Sequence, residues 1–153
     1  MHSKTGGGGF DEHTVNMGTD WILNGMSINE SELLAYSWGR IGIPLILVSG
    51  NDKLAEQQLA WMDWLYYVTV KEPRGIGDAL LYSIEQVHEV LRAAAKRSTE
   101  KIDQMKCARL TEPITATLRV IPPADLPILA RQCPTAEAIV AYKNRLCRHY
   151  STP

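Results

Sequence analysis

A predicted β-hairpin near the start of the chain constrains the fold more than any other sequence feature. Two short apolar segments, residues 20–23 and 26–28, flank Asn24 and Gly25. This dipeptide best suits a type I′ turn, in which both central residues have positive φ and the flanking strands keep their natural twist. The pattern therefore predicts two antiparallel strands joined by a two-residue turn.

A predicted helix follows the hairpin directly. Asn29 is a suitable N-cap, and Glu32, three residues later, completes a capping box in which each side chain accepts a hydrogen bond from the backbone N–H of the other residue. The apolar residues that then recur at helical spacing are Leu34, Trp38 and Ile41. We expect the helix to end near Gly39 or Gly42, because glycine is a common residue at helix C-termini.

The rest of the chain alternates between predicted strands and predicted helices. Residues 43–48 are continuously apolar, as in a strand covered on both faces. The further predicted strands are 66–70 and 114–120, and the further predicted helices are 52–64, 84–102 and 125–131, with a loop at 72–77. This order favours an α/β fold, specifically a three-layer domain with a mixed sheet, and a length of 153 residues favours a single domain over residues 1–153.

Composition argues against several classes of function. A formal net charge of -1 gives no field that would attract a phosphate backbone, so nucleic acid is not an expected partner. The longest apolar stretch, residues 41–48, is much shorter than a bilayer span, and the first residues lack the pattern of a signal peptide, so no membrane contact is expected. The cysteines Cys107, Cys133 and Cys147 are not closely paired, which favours reduced thiols and a cytoplasmic location.

The candidate chemistry lies in the first thirty residues. His2 and His13 bracket four glycines at positions 6–9, and Glu30 opens the predicted helix. Imidazole and carboxylate are the ligands that a hydrolytic zinc site uses, and a glycine run allows a substrate to approach the backbone closely. Residues 1–9 are alternatively a flexible linker. A phosphate-binding loop is weakly supported, because no strand precedes the glycines and no Gly-Lys-Ser/Thr follows them.

The order of these N-terminal features resembles the zinc-dependent D-aminopeptidases of the DppA type. In that family a Gly-x-His turn leads through a small-residue loop to a second histidine, a short hairpin and a helix whose first turn carries a glutamate. The corresponding positions here are His2, Gly6 to Gly9, His13, Asn24 with Gly25, and Glu30. Residues 42–52 are similar to the family's Val-Pro strand and the turn that ends it, and residues 70–72 are similar to the end of the next strand.

This resemblance implies a site and an activity. His2 and Glu30 are expected to be zinc ligands, and His13 is expected to be the catalytic histidine. The implied substrates are short peptides or amides with an N-terminal D-amino acid, the implied cofactor is zinc, with two ions in the complete family enzyme, and the implied assembly is a homo-oligomer.

The sequence also departs from the family pattern. Family members begin with a strand that carries an Asp-x-Glu pair, and a later turn adds another histidine ligand, whereas this chain starts after both. His2 and Glu30 alone give fewer than the three protein ligands that catalytic zinc normally has. We therefore expect the C-terminal portion of such an enzyme, with weak or absent zinc binding in this chain. The alternative is a non-catalytic remnant that acts as a structural or regulatory subunit of an oligomer.

Overall fold

The computed structural model describes residues 1–16, 18–75 and 78–120 of the chain. The predicted helix at 125–131 lies outside the described residues. The elements in chain order are β1 (Thr19–Leu23), β2 (Met26–Ile28), α1 (Glu30–Gly39), β3 (Leu47–Asn51), α2 (Asp52–Leu59), β4 (Tyr66–Gly75), β5 (Asp78–Leu81), α3 (Ile84–Glu100) and β6 (Ala116–Val120). A short 3₁₀ turn at Ile102–Gln104 follows α3.

The predicted hairpin is confirmed. β1 and β2 pair antiparallel, and the φ angles of Asn24 and Gly25 are 48° and 80°, as a type I′ turn requires. β6 pairs antiparallel with the other side of β1. Residues 114–120 alternate in sequence like a half-buried strand, but that prediction is wrong, because all five residues of β6 are exposed. Its backbone ladder is reinforced by Arg119, whose guanidinium lies 2.6 Å from the carboxylate of the buried Asp20.

The capping box of α1 is also confirmed. Asn29 Oδ1 accepts from the backbone N–H of Glu32, and Glu32 Oε2 accepts from the backbone N–H of Asn29, both at 2.9 Å. The apolar residues at helical spacing do not face the core, since Leu34, Trp38 and Ile41 are 39%, 51% and 67% exposed. The buried residues of α1 are Ser31, Glu32, Ala35 and Gly39. At Gly39 the helix lies so close to the backbone of Ala108 that an added Cβ would clash with its carbonyl oxygen.

A mixed sheet carries the second half of the fold. β3 is parallel to β4, and β5 returns antiparallel to β4. Two predictions are corrected here. Residues 43–46 precede the strand, and Pro44 among them lacks the N–H that a sheet ladder needs. Residues 72–75, predicted as loop, continue β4 into a hairpin with β5, where little burial leaves no apolar alternation to detect.

The second helix starts where β3 ends. The side chain of Asn51 accepts from the backbone N–H of Leu54 at 2.7 Å and so caps α2. The polar residues 49–52 predict a turn after the strand, but they form the end of β3 and the start of α2, and the helix ends at Leu59 instead of near residue 64. The core packs between α1, α2 and the mixed sheet and consists of Ala35, Val48, Leu54, Met62, Leu65 and Ala108.

The predicted α/β fold with a mixed sheet is confirmed, with one difference in its arrangement. The strands divide between two three-stranded sheets, in the orders β2-β1-β6 and β3-β4-β5. The predicted long helix is present as α3, and the side chain of Ser83 caps its N-terminus. None of the helices in the described part of the chain is long and apolar enough to cross a membrane.

Candidate metal centre

The three residues predicted to carry the chemistry lie together. His2, His13 and Glu30 each offer a ligand atom, and these atoms lie within 4.8 Å of one another. All three side chains are partly buried. They come from separate segments, since His2 lies next to Met1, His13 lies in the loop before β1 and Glu30 is the first residue of α1. The fold therefore creates a cluster of two imidazoles and one carboxylate.

His2 is held next to the mixed sheet. The nitrogen of Met1 donates to the carbonyl of Ser49 in β3 at 3.0 Å, so the main chain just before His2 is fixed to that strand. Two residues after His2, the backbone N–H of Lys4 donates to the side chain of Gln57 in α2 at 3.1 Å. His2 thus lies between two anchored residues, and these contacts do not support a flexible linker at positions 1–9.

The glycine run folds tightly against the chain itself. Gly8 has a φ of 74°, which side chains rarely permit. Gly9 passes so close to its neighbours that an added Cβ would meet the buried Ser3 and, at 2.8 Å, the side-chain nitrogen of Asn51. The loop then closes where the backbone N–H of His13 donates to the carbonyl of Ser3 at 3.1 Å. The glycines therefore serve internal packing that brings His13 next to His2.

The imidazole of His13 has a defined orientation. Its Nδ1 lies 2.7 Å from the backbone carbonyl of Asp11, an acceptor, so Nδ1 carries the proton. Nε2 is then left with its lone pair and lies 3.9 Å from a carboxylate oxygen of Glu30. A backbone carbonyl on one ring nitrogen is the usual way to fix a histidine that binds metal or moves a proton through the other nitrogen.

Glu30 is free to face the two histidines because another residue caps its helix. Glu32 completes the capping box, as the sequence predicted, and leaves the carboxylate of Glu30 outside it. That carboxylate accepts from the backbone N–H of Val15 at 3.1 Å. Val15 follows the loop that carries His13, so this hydrogen bond ties the start of α1 to the same loop.

The surroundings of His2 favour a neutral ring. Burial, together with the nearby positive charges of Lys71 and the amino group of Met1, lowers its pKa from 6.5 to about 3. Its Nε2 lies 4.0 Å from the carboxylate of Asp11. A neutral imidazole is the form that coordinates a metal, because a protonated ring has no free lone pair.

Two neighbouring residues were not identified from the sequence. Asp11 approaches His2, and Lys71 in β4 contributes a positive charge to the same region. One signal was available for Lys71, because it directly follows the predicted strand 66–70, and side chains at the carboxyl ends of parallel strands converge at one edge of a sheet. In the structure Lys71 is the last residue of β4 that pairs with β3. Within residues 1–16, 18–75 and 78–120, no further group of three potential metal ligands clusters in this way, so the helical His88 does not form one.

Comparison with known proteins agrees with this fold. A family model described as D-aminopeptidase matches residues 1–148. A search of curated proteins finds no match. Among solved structures, the chain is similar to the Zn-dependent D-aminopeptidase DppA from Bacillus subtilis, a self-compartmentalizing protease, with a TM-score of 0.75 and 17% sequence identity.

The extent of these matches decides what they establish. The structural alignment covers 80% of this chain but 45% of the DppA chain, so this chain spans less than half the length of that relative. At 17% identity, the likeness establishes the α/β fold. The family model extends over nearly all of the sequence, and on that match the chain belongs to the D-aminopeptidase family.

Proposed function

We propose that this chain contributes part of the active site of a zinc-dependent aminopeptidase that hydrolyses short peptides or amides with an N-terminal D-amino acid. In this proposal His2 and Glu30 bind zinc, and His13 is the catalytic histidine. The observation that carries it is the convergence of the three side chains, whose ligand atoms lie within 4.8 Å of one another although Glu30 is 28 positions after His2 in the sequence.

The donor set fits zinc chemically. Imidazole nitrogen and carboxylate oxygen are both common zinc ligands, with bonds of about 2.0–2.2 Å. Ligand atoms around one tetrahedral ion therefore lie roughly 3.3–3.6 Å apart. The side chains in this structure need to approach by only about an ångström, which side-chain rotation can provide. Two ligands are fewer than a catalytic zinc requires, so the proposal includes further ligands from outside the described residues.

In this proposal His2 and Glu30 hold the zinc ion, and His13 transfers protons. Bound zinc supplies a Lewis acid that polarises the scissile carbonyl and lowers the pKa of water. His13 would accept a proton at Nε2, because its Nδ1 is committed to the carbonyl of Asp11 at 2.7 Å. Glu30 is held by the hydrogen bond from Val15, and His2 lies between the anchored residues Met1 and Lys4, so both would keep their positions while His13 exchanges its proton.

Zinc titration of the chain tests the ligand assignment. We expect weak zinc binding in the unmodified chain, with hydrolysis of D-alanyl amides near background. His2→Ala and Glu30→Ala should each weaken zinc binding by about tenfold or more, because the loss of a first or second ligand removes a large share of the binding energy. His88→Ala is the matched control, since His88 is an exposed histidine on α3.

Two outcomes would contradict this assignment. Zinc affinities of His2→Ala and Glu30→Ala equal to that of His88→Ala would remove both residues from the metal site. Retention of about one zinc per chain, with measurable turnover, would contradict the expected weak binding and would indicate that neighbouring copies complete the ligand set.

A structural role in an oligomer is the second candidate. The observation that favours it is a group of exposed apolar side chains around the end of α1: Leu34, Trp38, Ile41 and Ile43. Exposed apolar surface of this kind often marks a protein contact. The structurally similar DppA is a self-compartmentalizing protease, which supports assembly of this chain with further copies of itself. The unpaired spacing of the cysteines supports a cytoplasmic location for either function.

A further inference from the structure

Lys71 lies on the same edge of the mixed sheet as the candidate metal centre. In the register of the two parallel strands, Lys71 of β4 is the partner of Asn51 at the end of β3. The side chain of Asn51 donates to the carbonyl of Phe10 at 3.4 Å, and the ammonium of Lys71 lies 5.1 Å from the centre of the Phe10 ring. Phe10 directly precedes Asp11 in the loop that runs to His13.

The ammonium group of Lys71 differs from those of the other partly buried lysines in the described residues. Lys4 donates to the carbonyl of Ser27 at 3.3 Å, and Lys53 donates to the carboxylate of Glu56 at 2.7 Å. Lys71 has neither a hydrogen bond nor an ion pair to any residue in the ranges 1–16, 18–75 and 78–120, and its contact there is the face of Phe10. A partly buried charge without such a partner is costly, and an anionic ligand would offset that cost.

The charges around Lys71 indicate which kind of anionic group would bind there. Burial lowers the pKa of Lys71, and the carboxylate of Asp11 acts in the opposite direction. Asp11 is also shared with His2, whose Nε2 lies 4.0 Å from it. A ligand carboxylate close to Lys71 would therefore give its ammonium group a direct partner at this edge of the sheet.

We propose that Lys71 binds the C-terminal carboxylate of a short peptide substrate, so that the site selects dipeptides with a free carboxylate over the corresponding amides. This inference rests on the proposed function, because it assumes that the scissile carbonyl lies at the cluster of His2, His13 and Glu30. In a dipeptide the terminal carboxylate is one residue, about 3.8 Å, beyond that carbonyl. The ammonium group of Lys71, next to the cluster, is therefore well placed to bind the terminal carboxylate of a dipeptide.

Equilibrium binding tests this assignment without requiring turnover. The ligands are D-alanyl-D-alanine and D-alanyl-D-alaninamide, titrated into the full chain in the presence of zinc and followed by NMR. We expect the dipeptide acid to bind about tenfold more tightly than the amide, as is typical of one charge-assisted pair. Lys71→Met should reduce this ratio to about one and leave amide binding unchanged, and Lys71→Arg should retain most of it.

Controls separate this inference from its alternatives. Lys96→Met, an exposed lysine of α3, should keep the ratio of the unmodified chain. An equal affinity for acid and amide in the unmodified chain, a failure to bind either ligand, or an unchanged ratio in Lys71→Met would each overturn the inference. If the partner of Lys71 is instead a carboxylate of the protein, Lys71→Met should lower the melting temperature with no change in the ratio, which also overturns it.

The same samples distinguish failure of this inference from failure of the proposed function. Zinc affinity is measured for each variant, and Lys71→Met should match the unmodified chain. A normal zinc response that depends on His2 and Glu30, together with a ratio of one, would reject the role of Lys71 alone. A zinc affinity that does not depend on His2 or Glu30 would reject the metal site, whatever the ratio.

Discussion

The imidazole rings of His2 and His13 lie 4.7 Å apart between their centroids, with their planes inclined at 40°. Two histidines at this distance can bind one ion together, or one can bind it while the other moves a proton. We propose the second arrangement, in which His2 binds the ion and His13 moves the proton.

Substitution of His13 should separate catalysis from metal binding. His13→Ala should leave the zinc affinity within about twofold of the unmodified chain, because the proposed ligands are elsewhere. In an assembly that hydrolyses a D-alanyl amide, the same substitution should lower kcat by about 10²–10⁴, as is typical for loss of a general base. Zinc titration and steady-state kinetics measure the two effects. Loss of zinc equal to that in His2→Ala would make His13 a ligand instead.

Substitution of Gly9 should weaken both the fold and the site. Gly9→Ala places a Cβ against Ser3 and the capping side chain of Asn51, so we expect a loss of about 1–3 kcal/mol in the free energy of unfolding. Zinc affinity should fall as well, since Gly9 packs against Ser3, which directly follows the proposed ligand His2. Gly18→Ala is the control, because its Cβ would lie at an ordinary contact distance of 3.7 Å from the side-chain oxygen of Asn16. Denaturant unfolding measures both variants, and equal stability would refute the packing argument.

The buried carboxylate of Glu32 should contribute strongly to stability. One oxygen accepts from the backbone N–H of Asn29 and the other accepts from the indole N–H of Trp61, both at 2.9 Å. Glu32→Ala should cost about 2–3 kcal/mol, because it removes a helix cap and leaves two donors unpaired. Glu85→Ala, an exposed first-turn residue of α3, should change stability by less than about 0.5 kcal/mol. A similar effect of both substitutions in thermal unfolding would contradict this role.

The chain should associate in solution. The apolar residues exposed around the end of α1 and the outer strands of both sheets are surfaces that favour contact between copies. Light scattering coupled to size-exclusion chromatography should give a mass above that of one chain, and Ile41→Lys should lower it. Ile84→Lys, at a similarly exposed position on α3, is the control. A compact, stable monomer across a broad range of concentration would contradict this prediction.

Local structure could be predicted from sequence where a few adjacent residues determine it. The turn at Asn24 and Gly25 and the cap formed by Asn29 and Glu32 depend on backbone geometry and hydrogen bonds within a few positions, and both predictions are confirmed. The proximity of His2 to Glu30 is different, because it depends on contacts between distant segments. It was expected from the family resemblance and could not be obtained from spacing.

The features that sequence patterns missed involve polar packing and weakly buried strands. Hydrophobic periodicity does not identify the buried face of α1, because Ser31 and Glu32 are buried there. β5 and the end of β4 lack alternation because they are barely covered. The position of Lys71 next to Phe10 follows from the parallel pairing of β3 and β4, and no local pattern around residue 71 indicates that pairing.

The side chain of Gln57 links the two segments that carry the proposed zinc ligands His2 and Glu30. Its Oε1 accepts from the backbone N–H of Lys4 and from the side-chain amide of Asn29, so one atom of α2 is bonded to both segments that present the proposed ligands. The distance between His2 and Glu30 is therefore fixed through this one shared acceptor. Movements of the chain between residues 4 and 29 have little effect on that distance. Gln57, which is not itself a proposed ligand, therefore helps to fix the geometry of the candidate metal centre.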